Sequence, residues 1–374
     1  MTAVKKHAEG KEPLVHLSKR DSISPARSWI IRLCAVLLGF LICGAAAFIL
    51  IEKLQQHPER IGDFYYAFIK GAFGTSRKFW KFLRSLAVLL CISLALTPAF
   101  RMRFWNIGGE GQTLVGVLGA IAVDFYLGGK IPEWLLLILM LAAALSCGAA
   151  WGLVPAVFKA KWNTNETLFT LMMNYIIIGV VAWLQAGPWE ARQGRIAQFP
   201  QSAWLPKVEG VHCGWIIVLV LVFLIHIYMR HTKQGYEIAV IGDSLRTAQY
   251  AGMNVGRIMM RTMFLSGAIS GLVGFILCSG ATNTLSKDIA GGVGFTSITV
   301  AWLSQLNAFA MVAISLMLGI LTKGADTLQT VMNVPAAISD IIIGLLLFCM
   351  LGCEFFINYR LILRKKAGKG GAAA

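Results

Sequence analysis

The sequence predicts an all-α fold: a polytopic membrane helix bundle of about ten transmembrane segments, with one short helix on the cytoplasmic side. Three observations predict it. Of 374 residues, 57% are hydrophobic and 14% charged, where a soluble domain carries roughly 25% charged residues. The mean hydropathy is +0.68. The 34 Lys+Arg against 18 Asp+Glu, a formal charge of +16, lie in short stretches between long apolar runs, the pattern of a chain oriented in a membrane by its positive loops. Soluble enzymes, nucleic-acid-binding domains and secreted disulfide scaffolds are excluded. The cysteines agree: Cys34, Cys43, Cys91, Cys147, Cys213, Cys278, Cys349 and Cys353 fall in or at the ends of apolar runs, where they read as small packing hydrophobes rather than metal ligands or redox pairs.

A helix crossing about 30 Å of hydrocarbon needs roughly 20 apolar residues. Residues 1–28 are polar, with Lys5, Lys6, Lys11, Lys19, Arg20 and Arg27, and form a basic tail. The run 29–51 reads as an uncleaved first span. Residues 52–82 interleave cations with Phe64, Tyr65, Tyr66, Phe68, Phe73, Phe79 and Trp80, which suits a segment lying in the headgroup layer. Spans follow at about 83–100, 109–128, 134–157, 166–187, 213–230 and 258–280. Residues 288–326 are too long for one crossing. Ser304-Gln-Leu-Asn307 divides them into 288–304 and 308–326, and Pro335 opens a last span to 356. The even count puts the tails 1–28 and 357–374 on one side, cytoplasmic by their positive charge, around a transmembrane domain of 29–356. Gly148-x-x-x-Gly152 and Gly267-x-x-x-Gly271, with Gly274 a turn on, are faces that let helix backbones approach closely.

Three polar clusters interrupt the apolar runs. In Asn106-Ile-Gly-Gly-Glu110-Gly-Gln112, the glycines unwind or turn the backbone and Glu110 stands near a helix start. Such backbone at membrane depth needs protein or a hydrated cavity around it; a capped turn at the membrane face is the plainer alternative. Glu166, Thr170 and Asn174 recur at i, i+4 and i+8, one helix face. A polar stripe there faces protein or water rather than lipid, serving either interhelical hydrogen bonding or the passage of a polar solute. Gly291-Gly-Val-Gly294, followed by Phe295 and Thr296, is a second glycine-rich turn half a chain later, suggestive of two similar halves.

Residues 231–257 form the one structured loop. Asp243 or Ser244 is a good N-cap and Gly252 a good stop, with Leu245 and Ala248 between them on a helix of about two turns. So short a helix is marginal alone, so it either folds against its own bundle or docks a cytoplasmic partner. No G-x-x-x-x-G-K-[ST] occurs, and neither catalytic residues nor a metal motif emerge.

Four passages carry a resemblance: Asn106 to Gln112, Thr164 to Tyr175, Gly235 to Gly252, and Gly294 to Leu303 with Val334 to Gly344. With them the chain resembles permease subunits of bacterial ABC importers in the branched-chain amino acid and simple-sugar group, and within it the basic-membrane-protein-type nucleoside permeases. The resemblance implies a bacterial cytoplasmic (inner) membrane protein with no catalysis, cofactor or metal of its own. ATP would be bound by a separate ABC ATPase subunit; a second homologous permease and a substrate-binding lipoprotein or periplasmic protein would complete the importer, in membrane lipid and without nucleic acid. The solute it implies is a nucleoside, with a simple sugar or a flavin as alternatives. Asn106, Glu110, Gln112, Glu166, Thr170, Asn174, Phe295 and Thr296 are then the substrate-pathway candidates. Gly242, Asp243, Ser244, Leu245, Ala248 and Gly252 would form the ATPase-coupling element. One departure is Asp243-Ser-Leu-Arg-Thr-Ala, which stands where asparagine-proline-alanine usually starts that helix. An ion-coupled secondary transporter or channel is the rival from another class.

Overall fold

The computed structural model describes residues 15–19, 24–51, 61–189, 203–208, 211–282, 284–286 and 288–363. Most of the basic tails and residues 52–60 of the expected headgroup segment lie outside these. The chain divides into two compact units, residues 1–61 with 335–374, and residues 62–334.

In the first unit, helix α1 (Pro25–Leu50) packs on α13 (Ala336–Asn358). A Cβ at Gly39 would come 3.3 Å from Cys349 and Leu346, and the Cys43 thiol donates to the Ile342 carbonyl at 3.7 Å. Contacts rising along α1 as they fall along α13 make the helices antiparallel. Strand β1 (Val15–Lys19) precedes α1 and pairs antiparallel with β4 (Tyr359–Leu363), which follows α13. The two tails therefore leave this helix pair at one end, joined by a ribbon that the composition of the tails did not suggest.

The second unit holds α2 (Ile61–Phe73), α3 (Ser76–Arg101), α4 (Gly109–Leu127), α5 (Glu133–Trp162), α6 (Glu166–Ala186), α7 (Gly214–His231), α8 (Lys233–Asp243), α9 (Leu245–Tyr250), α10 (Val255–Ile276), a π-helical turn Leu277–Thr282, α11 (Val293–Leu303) and α12 (Ala308–Met332). A two-residue ribbon, β2 (Lys207–Val208) with β3 (Val211–His212), precedes α7. Across both units, among the described residues, seven helices are long and apolar enough to cross a membrane, and 293–303 and 337–352 are shorter apolar helices.

Two expectations shift. The headgroup segment ends earlier than 82, because Thr75 caps α3 by accepting from the Lys78 N–H; residues 76–82 thus belong to the crossing helix. The span expected at 288–304 is α11, 11 residues long, about 16 Å. It reaches only half-way across the hydrocarbon.

Helices α3 and α10 are central, 78% and 72% of their apolar windows being buried, against 28% for α5, α6 and α7. The two small-residue motifs are each other's partners. A Cβ on Gly148 would stand 2.5 Å from the Gly267 carbonyl oxygen, and one on Gly152 2.7 Å from the Met263 oxygen. Gly274 meets α4 in the same way, 2.5 Å from the Thr113 oxygen. Backbones this close gain dispersion contacts that lipid cannot replace, and they lock α4, α5 and α10 into one block.

Candidate functional site

The site grows from a single irregular stretch. After Arg101 the chain does not leave the bundle. It turns through a left-handed Arg103 (φ 60°) and climbs back inside, so that Gly109 lies against Ile92 and Leu96, about two turns before the end of α3. Helix α4 starts there, in the interior.

Unwound backbone buried in the bundle must find hydrogen-bond partners, since each one missing costs about 1–3 kcal/mol. Side chains of the polar clusters supply them. The Ile107 N–H donates to Thr170 Oγ1 (3.2 Å) and its carbonyl accepts from Asn174 Nδ2 (3.0 Å). The Gly111 N–H donates to Asn174 Oδ1 (2.9 Å), and the Gly108 N–H to Asn106 Oδ1 (2.9 Å). Asn106 and Gln112 pair amide to amide at 3.2 and 3.3 Å. Asn106 Nδ2 also donates to Ser266 Oγ (3.3 Å), and Gln112 Oε1 accepts from Ser270 Oγ (3.2 Å), both serines on α10.

Glu110 joins the third cluster to the first. Its carboxylate accepts from the Gly292 N–H (2.9 Å) and the Gly294 N–H (2.7 Å), the unpaired donors at the start of α11, where a negative charge also meets the positive end of the helix dipole. Gly294 has no room for a side chain, its Cβ position being 2.6 Å from Glu110. Two helix starts, those of α4 and of the short α11, therefore meet at one carboxylate inside the bundle.

The structure thus brings together Asn106, Glu110, Gln112, Thr170 and Asn174, all at most 6% exposed. Glu166 lies apart, pairing with Lys159 at 2.9 Å at the mouth between α5 and α6; only its backbone carbonyl, accepting from Thr170 Oγ1 (2.8 Å), touches the network. Phe295 is 43% exposed, and Thr296 is half-buried. Seven residues along α11 from Phe295, and so on the same face, Trp302 stacks on Trp105 with ring centroids 5.2 Å apart. Sequence reasoning missed Ser266 and Ser270. Their signal was present: two hydroxyls at i and i+4 beside the Gly267/Gly271 pair, within reach of any amide opposite.

The second candidate set ends the same unit. Ser244, not Asp243, caps α9, accepting from the Thr247 N–H at 3.2 Å, while Asp243 is the last residue of α8. Helix α8 has its own cap in Thr232, whose Oγ1 accepts from Gly235 N–H at 3.1 Å, and the Glu237–Arg261 pair (2.8 Å) ties it to α10. Gly242 sits directly on the Arg101 carbonyl. Ala248 is buried with Ile238, Ile241, Met102 and Phe104 in one core, and Gly252 (φ 73°) stops the helix in a left-handed conformation. Asp243, Arg246, Thr247 and Gln249 are exposed, and so are two large apolar side chains, Leu245 at 48% and Tyr250 at 92%, the latter a residue not singled out from sequence.

Comparison with known proteins shows what the chain is similar to. The chain is 30% identical over 337 residues, 88% of itself and 95% of the relative, to the guanosine ABC transporter permease protein NupP of Bacillus subtilis. It is 30% identical to the glucose ABC transporter permease protein TsgB13 of Haloferax volcanii, covering 73% of this chain and 75% of that one. It is 25% identical to the nucleoside ABC transporter permease protein NupB of Lactococcus lactis, over 90% and 93% of the two chains. Residues 79–351, which contain both candidate sites, match the family described as branched-chain amino acid transport system / permease component, and the chain belongs to that family.

Proposed function

We propose that this multi-pass membrane permease is the transport subunit of an ATP-driven importer of nucleosides, without an ATPase site of its own. The observation that carries the reading is the similarity to the guanosine permease over 88% of this chain and 95% of that one, nearly end to end. In this reading the bundle sits in a bacterial cytoplasmic membrane with both tails in the cytosol. It pairs with a second homologous permease and receives solute from a lipoprotein or periplasmic binding protein. A separate ABC ATPase binds ATP and grips α9.

The geometry supports a division of labour among the pathway candidates. Asn106, Gln112, Thr170 and Asn174 have their polar atoms engaged with one another and with the turn 106–112, so they act as the frame that holds α4 and α11 in place. Glu110 acts as the hinge pin between these two helices. Phe295 and Thr296 on the outward side of α11, with Glu166 at the mouth, line the route. Rigid-body rocking of two such permeases about this frame would alternate access.

The test is uptake of radiolabelled guanosine, uridine, ribose, glucose and riboflavin into vesicles holding the assembled importer, with ATP or an ion gradient supplied separately. ATP-dependent accumulation of nucleosides is expected. Accumulation of a sugar or riboflavin instead would move the substrate to the alternatives. Uphill transport on an ion gradient with no ATP hydrolase present would overturn the reading.

A further inference from the structure

At the end of the second unit that carries α8 and α9, the last turns of α3 and α7 and the turn before α12 line an open cavity of about 170 Å³, room for roughly six water molecules at about 30 Å³ each. Arg101 from α3 and Arg230 from α7 line it, with His226, Gln305 and Asn307. No Asp or Glu does. Elsewhere in this unit Arg261 pairs with Glu237, Lys159 with Glu166 and Lys323 with Asp326. Neither Arg101 nor Arg230 has a side-chain partner among the described residues. Two permanent cations around one small polar cavity repel each other until an anion joins them, and guanidinium forks suit a phosphate above other oxyanions.

The surroundings say what carries that phosphate. Exposed Phe223 (58%), Ile227 (51%) and Phe309 (46%) continue from the cavity along α7 and α12. The Phe309 ring lies 4.6 Å from His226 and 5.6 Å from Phe223. Close by, Phe100, Trp105 and Trp302 form an aromatic cluster, the residue type that settles at headgroup level. A cationic cup that opens onto an apolar wall at that depth matches an amphiphile, not a free ion.

We propose that this cavity binds the phosphate of an anionic phospholipid, whose acyl chains lie along Phe223, Ile227 and Phe309. Only the assignment to the inner leaflet rests on the orientation proposed above. Ala239 of α8 forms part of the cavity wall, so the bound lipid braces α3 and α7 against the element that carries α9.

The test is native mass spectrometry of the assembled transporter released from nanodiscs of phosphatidylcholine with or without phosphatidylglycerol. The wild type is expected to retain phosphatidylglycerol in preference to phosphatidylcholine. Arg101→Gln and Arg230→Gln should each lower that retention about five-fold, the worth of one cation beside an anionic lipid. The Arg101→Lys/Arg230→Lys pair keeps both charges but loses the guanidinium forks, and should retain the lipid less than wild type and more than the double Gln variant; Lys130→Gln, on the loop between α4 and α5, should change nothing. Equal retention of the two lipids by the wild type, or undiminished retention in the double Gln variant, overturns the proposal. So does release of the lipid by millimolar inorganic phosphate, which would make the headgroup ion alone the ligand. Because retention is read without transport, the outcome stands whichever solute is imported.

Discussion

Asn174 bonds to both sides of one turn, giving an acceptor to Gly111 and a donor to Ile107. Asn174→Ala strands both buried backbone groups, at about 1–3 kcal/mol each, whereas Asn174→Asp keeps the acceptor and strands only the Ile107 carbonyl. Thermal unfolding of the detergent-purified transporter should rank wild type above Asp above Ala. Uptake should fall in the same order while the ATPase stays bound. Equal melting of the three proteins would remove the turn from the frame. A second residue-scale effect sits outside the spanning helices. The His212 ring is wedged between Gly214 and Gly280, its Nδ1 accepting from the Gly214 N–H at 3.2 Å and its Nε2 without a partner. Burial first, and then the positive Arg84, hold its pKa down to about 4. An unfolded histidine titrates near 6.5, so the unfolded state takes up the proton first. Stability from this group is complete above about pH 6.5 and is lost as pH falls towards 4. The melting temperature should drop over that window, and less steeply in His212→Asn.

At the scale of elements, the α5–α10 contact depends on backbones touching. Gly267→Ala places a methyl group against the Gly148 carbonyl and must push the helices apart, an overpacking cost of about 1–3 kcal/mol. Gly179→Ala on α6 meets nothing within 4 Å and should be neutral or stabilising by up to about 1 kcal/mol. Comparing the two melting temperatures separates close packing from helix propensity, since propensity alone would stabilise both. The glycine spacing was legible in the sequence; the pairing of those two motifs was not, because G-x-x-x-G announces a close approach without naming its partner. Likewise Ser244 and Gly252 were readable as helix punctuation. That α8 precedes α9 as a separately capped helix, and so takes Asp243 as its last residue, came from Thr232.

At the scale of the whole molecule, within the second unit α3 and α10 are the most buried spans and most of the apolar window in each of α5, α6 and α7 is not buried, while α9 holds Leu245 and Tyr250 outward. If those two side chains seat the ATPase, Leu245→Glu with Tyr250→Ala should abolish ATPase co-purification and ATP-driven uptake, with membrane insertion and melting temperature kept. Wild-type association in that variant would leave α9 a structural helix only.

The chain by itself determined its class and its punctuation: apolar runs long enough for hydrocarbon, polar clusters where lipid tolerates none, caps and stops. These are local properties, set by composition and by neighbours a few residues away. Only the tertiary structure decided that Thr170 and Asn174, the turn 106–112 and the start of α11 at Gly292 and Gly294 share one hydrogen-bonded network. Their bonds join residues 63 to 184 positions apart, and each amide or hydroxyl could have met any of several donors of equal strength. Which one it meets follows from where the glycine faces let α4, α5 and α10 close, and that is a property of the packed bundle.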